Sequence, residues 1–330
     1  MGYIGFFHRG ALGDFIVSCP IIQAFSESEG KKKVYFCTRQ EYLGFIKNSS
    51  FFGTFCRHDD PTFLPFFDDS ASLEAIIPDF CLKSDPILIF GQKSLISFAN
   101  RLKKRIKLAR CFWIQSFPDP STKWNRPVRE FILSQFRKLG YDLKIKPFRT
   151  TLDDKAIDKA SQILGKAVEP PIFIHPGSGG IHKVWPLKNW HALLAFLRGS
   201  FPEIPVVISL GPAEEKLVTP IKSLTERYGI KILPQVDLET LAACISLSRL
   251  YIGCDSGVTH LAATTGTPVI AIFGPTNPSV WAPYAENVTT IRSSWTREEV
   301  LSFTEAPLSQ LSAEIVETLT SIISQREFLG

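Results

Sequence analysis

Residues 251–281, YIGCDSGVTHLAATTGTPVIAIFGPTNPSVW, decide the fold. The opening residues read as a buried strand, Asp255-Ser256-Gly257 as a tight polar turn, 258–265 as a helix and 269–273 as a second strand. Gly274-Pro275-Thr276 then forms a loop. Short apolar runs bounded by turn residues mark strands covered on both faces, and a helix between two of them makes a parallel βαβ unit. The first amides of a helix have no partner inside it, so a turn rich in hydroxyls and small residues at that point suits a phosphorylated ligand. Asp255 has two readings here: an ordinary N-cap, or part of a polar lip. A cap needs one residue, whereas this turn supplies several, which favours the lip.

The same alternation extends in both directions. Strands are expected over 3–8, 34–37 and 87–90, and again over 171–175, 206–210, 250–253 and 269–273. Helices are expected over 15–25 (with Pro20 as a kink), 93–110, 127–139, 153–164, 187–197, 213–228 and 238–246. Residues 147–153 have extended, linker-like character. The fold class is therefore α/β, with two Rossmann-like domains of parallel strands over 1–150 and 151–330. Ligands of such open sheets bind outside the carboxyl ends of the strands.

A chain of 330 residues has room for two domains with a sizeable core. Its 45% hydrophobic and 21% charged content describes a globular protein rather than a disordered one. No apolar run approaches the roughly 18 residues that span a bilayer. The start, MGYIGFFHRGALGD, lacks the basic-then-apolar layout of a signal peptide. Seven scattered cysteines, odd in number and never spaced C-x-x-C, argue against a metal site or a disulfide framework. They suit a reducing compartment, so the expected location is the cytoplasm. Residues 1–150 carry 23 Lys and Arg against 14 Asp and Glu, or +9, whereas 151–330 carry 14 against 18, or −4. A basic first half fits an anionic partner, although a merely solvated basic face gives the same count.

Three strand-end loops hold the candidate chemistry. Gly10-Ala11-Leu12-Gly13-Asp14 is neither a dinucleotide fingerprint nor a Walker loop. Asp14 is open to two readings, a general base or an N-cap, and the residues alone favour the cap. In His175-Pro176-Gly177-Ser178-Gly179-Gly180, small residues let a diphosphate approach the backbone, and Lys183 can neutralise its charge. Asp255 to His260 is the third loop. A fourth, Gly211 to Glu215, offers a carboxylate to ribose hydroxyls but is weak alone.

HPGSGGIHKVWPLKNW and CDSGVTHLAATTGTPVIAIFGPTNPSVW together resemble the nucleotide-sugar-binding half of glycosyltransferase family 9, the ADP-heptose:lipopolysaccharide heptosyltransferases. The GALGD loop followed by Pro20 is similar to that family's amino-terminal motif. The likeness runs from residue 3 to about 284, with little over 40–125. It implies a GT-B fold, two facing Rossmann-like domains with the acceptor in the first and the donor in the second. It also implies inverting transfer of a heptose from ADP-heptose to a lipopolysaccharide core acceptor, without a cofactor or a catalytic metal.

Carried across by motif, Asp14 falls on the catalytic base and Lys183 on the lysine contacting the donor phosphate. Glu215 falls on the ribose-binding acid, with Glu214 one register step away. Val236 falls on a backbone contact to adenine and Ser178 on a hydroxyl beside the diphosphate. Asp255, Ser256, Gly257 and His260 fall on the D-[ST]-G-x-x-H motif lining the diphosphate and sugar.

The implied acceptor is an anionic glycolipid, for which the charges around 101–110, Lys123, Arg126 and Arg129 are suited. Peripheral contact with the inner membrane is a further expectation. Phe51, Phe52, Phe55, Phe63, Phe66 and Phe67 can meet lipid, but burial is the expectation for most of them. Nucleic acid is not an expected partner, since the basic excess lacks a recognised motif. The alternatives are a GT-B transferase or epimerase using another nucleotide sugar, and a non-catalytic nucleotide-sugar binder.

Overall fold

The computed structural model describes residues 2–68, 76–107, 110–165, 169–211, 214–300 and 311–325. The chain divides into two compact units, Met1–Thr151 and Leu152–Gly330.

The first unit holds five strands: β1 (Tyr3–His8), β2 (Val34–Thr38), β3 (Phe52–Arg57), β4 (Ser84–Gly91) and β5 (Cys111–Gln115). They pair in parallel in the order β3-β2-β1-β4-β5. Phenylalanines fill the core: Phe6 meets Phe36 at 5.6 Å, Phe90 at 5.0 Å and Phe15 at 5.9 Å between ring centroids. The helix Leu12–Ser28 is continuous through Pro20. Proline removes the bond to the Ile16 carbonyl, but Phe15, Cys19, Ile22 and Phe25 are all buried on this helix. That burial offsets the loss, at about 1.5–3 kcal/mol for each large apolar side chain.

The expected helix over 93–110 is a short 3-10 turn, Lys93–Leu95, followed by Ile96–Ile106. It closes at Lys107 with φ +50°, and Leu108 and Ala109 lie outside the described residues. Among the phenylalanines offered to lipid, Phe51, Phe63 and Phe66 are buried and Phe52 and Phe55 half-buried, whereas Phe67 is exposed.

The second unit holds β6 (Ile172–His175), β7 (Val206–Ser209), β8 (Lys231–Leu233), β9 (Leu250–Cys254), β10 (Val269–Phe273) and β11 (Val288–Arg292). Their order is β11-β10-β9-β6-β7-β8, again all parallel. Its core is aliphatic, built on Ile172, Ile174, Ile208, Ile252, Ile270 and Leu250, with Trp185 and Trp190 edge to face at 5.2 Å. The helix expected over 213–228 is Glu215–Tyr228, and Ala213 lies outside the described residues.

In each sheet the chain starts at a central strand, builds outward to one side and then returns to the other. The order therefore reverses between β1 and β4 in one unit and between β6 and β9 in the other. Such a reversal opens a crevice above the carboxyl ends of the two strands. Four strands escape the apolar pattern: β3, β5, β8 and β11. Each is the edge of its sheet, and none but β5 has more than one fully buried residue.

Candidate active site

The loops that leave β6 and β9 stand side by side at the reversal of the second sheet. Ser256 is the N-cap of the helix Gly257–Thr265, its Oγ accepting the Thr259 N–H at 3.2 Å. The cap reading of Asp255 is thereby corrected: Ser256 has the extended backbone a cap requires, with φ −148° and ψ 162°. Asp255 is released for another task. Lys183, at the end of the 3-10 turn Ile181–Lys183, brings its Nζ to 3.0 Å from Asp255 Oδ2. The oxygen makes no hydrogen bond of good direction, so the attraction is mainly Coulombic. The aspartate side chain is 7% exposed and the lysine 30%, which leaves the ammonium facing solvent.

The loops are also tied to each other. Ser178 Oγ donates to the Asp255 carbonyl at 2.7 Å, and the Trp185 N–H donates to Cys254 Sγ at 3.3 Å. Thr259 is a hub the sequence did not single out. Its hydroxyl meets Tyr251 Oη at 3.0 Å and Ser256 Oγ at 3.1 Å, and it donates to the Cys254 carbonyl. Its only sequence signal is its place three residues after the cap. His260, on the same helix and 6% exposed, has its pKa lowered by burial, with the Asp255 carboxylate opposing and Lys183 adding to the shift. It is neutral near pH 7.

A second polar cluster lies at the ends of β6 and β7. Glu214 is 4% exposed and accepts the Gly211 N–H at 2.6 Å. Its other oxygen is 3.7 Å from His175 Nε2, and His175 Nδ1 is 3.0 Å from Ser209 Oγ. A Cβ on Gly177 would fall 2.1 Å from that carboxylate, so a larger residue there would have to displace the Glu214 side chain. Glu215, by contrast, is exposed in the first turn of its helix. Of the two neighbouring acids, Glu214 builds the loop and Glu215 faces solvent. Pro212 and Ala213, between them and Gly211, lie outside the described residues. Val236 is half-buried beyond β8, one residue before Asp237, which caps the helix Leu238–Ser246 by accepting the Thr240 N–H at 2.8 Å.

In the first unit, Asp14 does not cap its helix. Ala11 occupies the cap position, and Asp14 sits half-buried in the first turn, where negative charge complements the helix dipole. The short loop between β1 and that helix leaves β1 at the reversal of the sheet. No three His, Cys, Asp or Glu side chains converge as metal ligands among the described residues.

Residues 91–306 match the model of glycosyltransferase family 9 (heptosyltransferase). Lipopolysaccharide heptosyltransferase 1 of Escherichia coli strain K12 is 28% identical over 149 residues, 44% of this chain and 44% of that one. The chain therefore spans under half the length of that relative. Lipopolysaccharide heptosyltransferase 1 of Campylobacter coli is 25% identical over 316 residues, covering 87% of this chain and 88% of that one. The structure of E. coli ADP-heptose lps heptosyltransferase II shares the fold, with a TM-score of 0.72 at 14% identity over 99% of this chain and 100% of that one. Two parallel α/β units with the GT-B architecture, and a family match over most of its length, lead to one conclusion: the chain belongs to glycosyltransferase family 9.

Proposed function

We propose that the protein transfers a heptose from ADP-heptose to a lipopolysaccharide-core acceptor, with inversion and without a catalytic metal. One observation carries the reading. At the reversal of the second sheet, Lys183 and the N-terminus of Gly257–Thr265 present positive charge around a buried aspartate. A departing ADP gathers negative charge, and fixed amides with one ammonium can meet it. Asp255 holds Lys183 in place, and Ser178 holds the Asp255 backbone. Ser256, Gly257 and His260 line the same turn. Glu215 is the acid for the ribose hydroxyls, since the oxygens of Glu214 already serve Gly211 and His175. Val236 offers its backbone to the adenine.

Asp14 is the base that takes the proton of the acceptor hydroxyl as it attacks the anomeric carbon. The +9 charge of residues 1–150 suits an anionic glycolipid acceptor. No helix among the described residues is long and apolar enough to cross a membrane, and the proposed contact with the bilayer is peripheral.

The test is a donor screen with ADP-heptose, ADP-glucose, UDP-GlcNAc and GDP-mannose against a Kdo-bearing core acceptor, read by mass spectrometry with and without chelator. Addition of one heptose from ADP-heptose, insensitive to the chelator, is expected. Transfer only from another donor overturns the substrate assignment, and loss with chelator overturns metal independence.

A further inference from the structure

The loop that leads into the helix of Asp14 is held at one residue from both sides. The Gly10 N–H donates to His8 Nδ1 at 3.2 Å, and the Gly10 carbonyl accepts from Tyr42 Oη at 3.1 Å. Both side chains are buried, His8 at 0% and Tyr42 at 5% exposure. A Cβ on Gly10 would fall 2.8 Å from His8 Cε1 and 3.3 Å from Asp14 Oδ2, so the imidazole, the glycine and the aspartate are packed against one another.

The choice of histidine calls for a reason. Its ring lies among Phe6, Phe15 and Phe90, at 5.8, 5.3 and 6.4 Å between centroids. A phenylalanine would suit that cage better. With Nδ1 accepting, the proton is on Nε2, which has no hydrogen-bond partner among the described residues. A buried donor left unpaired is a cost. The one polar service the ring performs here is to hold Gly10.

We infer that His8 and Tyr42 are positioning residues, clamping the peptide groups on either side of the Gly10 Cα so that the Asp14 carboxylate is held in one orientation. The inference rests on the reading of Asp14 as the base. Protonation states agree with the clamp. Burial, with the Arg39 and His58 charges, brings His8 down to about 3, and burial pushes Tyr42 up to about 12. The imidazole therefore stays an acceptor, and the phenol a donor, at any working pH.

The experiment compares wild type, Tyr42→Phe, His8→Phe and His8→Asn, each with Asp14 intact and as Asp14→Asn. An asparagine oxygen can stand in for Nδ1, whereas phenylalanine keeps the packing and loses the acceptor. With Asp14 intact, Tyr42→Phe and His8→Phe are expected to lower kcat about tenfold at unchanged donor KM, the scale of a small misplacement. His8→Asn should recover most of that loss, and with Asp14→Asn the substitutions should cost nothing further. Undiminished kcat, or an equal loss in both backgrounds, overturns the inference. The base assignment fails separately, if Asp14→Asn alone turns over at the wild-type rate. The exchange rate of the Gly10 amide then still tests the clamp. It should be slow in wild type and His8→Asn and fast in His8→Phe, and equal rates overturn it. Melting curves on each variant, with the gentler Tyr42→Phe as reference, separate misfolding from mispositioning.

Discussion

The two sheet reversals follow the same winding, in a sheet of five strands and one of six, but are held in different ways. Above β6 and β9, Ser178 to Asp255, Trp185 to Cys254 and Lys183 to Asp255 bind loop to loop, and Thr259 ties its own turn together through three partners. Above β1, a phenylalanine core supports one loop, and two side chains hydrogen-bond to the backbone of a single residue, Gly10. The first arrangement fixes several charged and hydroxyl groups in advance, as the proposed diphosphate binding requires. The second, by the clamp inferred above, would fix the direction of one carboxylate, as the proposed proton transfer requires. Damage to the first should therefore be felt in binding, and damage to the second in turnover.

The comparison breaks most sharply at Asp14. Asp14→Ala should cut transfer by about 10²–10⁴-fold, the usual worth of a general base, while ADP binding by calorimetry stays near wild type. Normal turnover would sink the assignment. Next comes Lys183→Ala, which leaves Asp255 without its cation. A loss of about 10²-fold in kcat/KM is expected, with weaker ADP binding; unchanged affinity and rate would refute its role. Gly10→Ala should follow at about tenfold in kcat, because its Cβ lies within 3.3 Å of Asp14 Oδ2 and 2.8 Å of the His8 ring. An equal fall in ADP affinity would show that the two regions are not separable in this way.

Acid should expose a feature the regions share. His8, His175 and His260 are all held neutral by burial, with pKa values below the ordinary 6.5. The unfolded chain binds these protons first, so stability is full above about pH 6.5 and falls as the pH drops toward the folded values. The slope approaches about 1.4 kcal/mol per pH unit for each histidine. His8→Asn should flatten the urea-denaturation profile between pH 6.5 and 3, and an unchanged slope would remove His8 from the account. The smallest effect is expected from Ser256→Ala. Loss of the cap on Gly257–Thr265 should cost about 1 kcal/mol and lower Tm by a few degrees, an effect that added ADP should partly mask.

Much of the second site was legible in the sequence because its groups sit in one contiguous motif on a helix start. Asp255, Ser256, Gly257 and His260 lie within six residues, and Lys183 and Ser178 are close to one strand end. Which of these caps the helix was not legible, since Asp255 and Ser256 are both good caps and only the backbone angles of Ser256 decide. Glu214 and Glu215 were likewise inseparable until one was seen buried against Gly177 and the other exposed. The clamp on Gly10 was invisible for a different reason. His8 and Tyr42 lie 34 residues apart in a region of generic apolar pattern, and their convergence on Gly10 depends on how β1 packs beside the segment that follows β2.

The strands divide along the same line. All seven interior strands, β1, β2, β4, β6, β7, β9 and β10, announced themselves by apolar runs, because a strand covered on both faces must be apolar on both. With the helices between them, those runs alone determined a two-unit parallel α/β protein. The four edge strands, β3, β5, β8 and β11, went unread. An edge strand is half exposed, and its sequence need not alternate or stay apolar. What makes Val288–Arg292 a strand is the row of hydrogen bonds offered by β10, and only the tertiary structure supplies that partner.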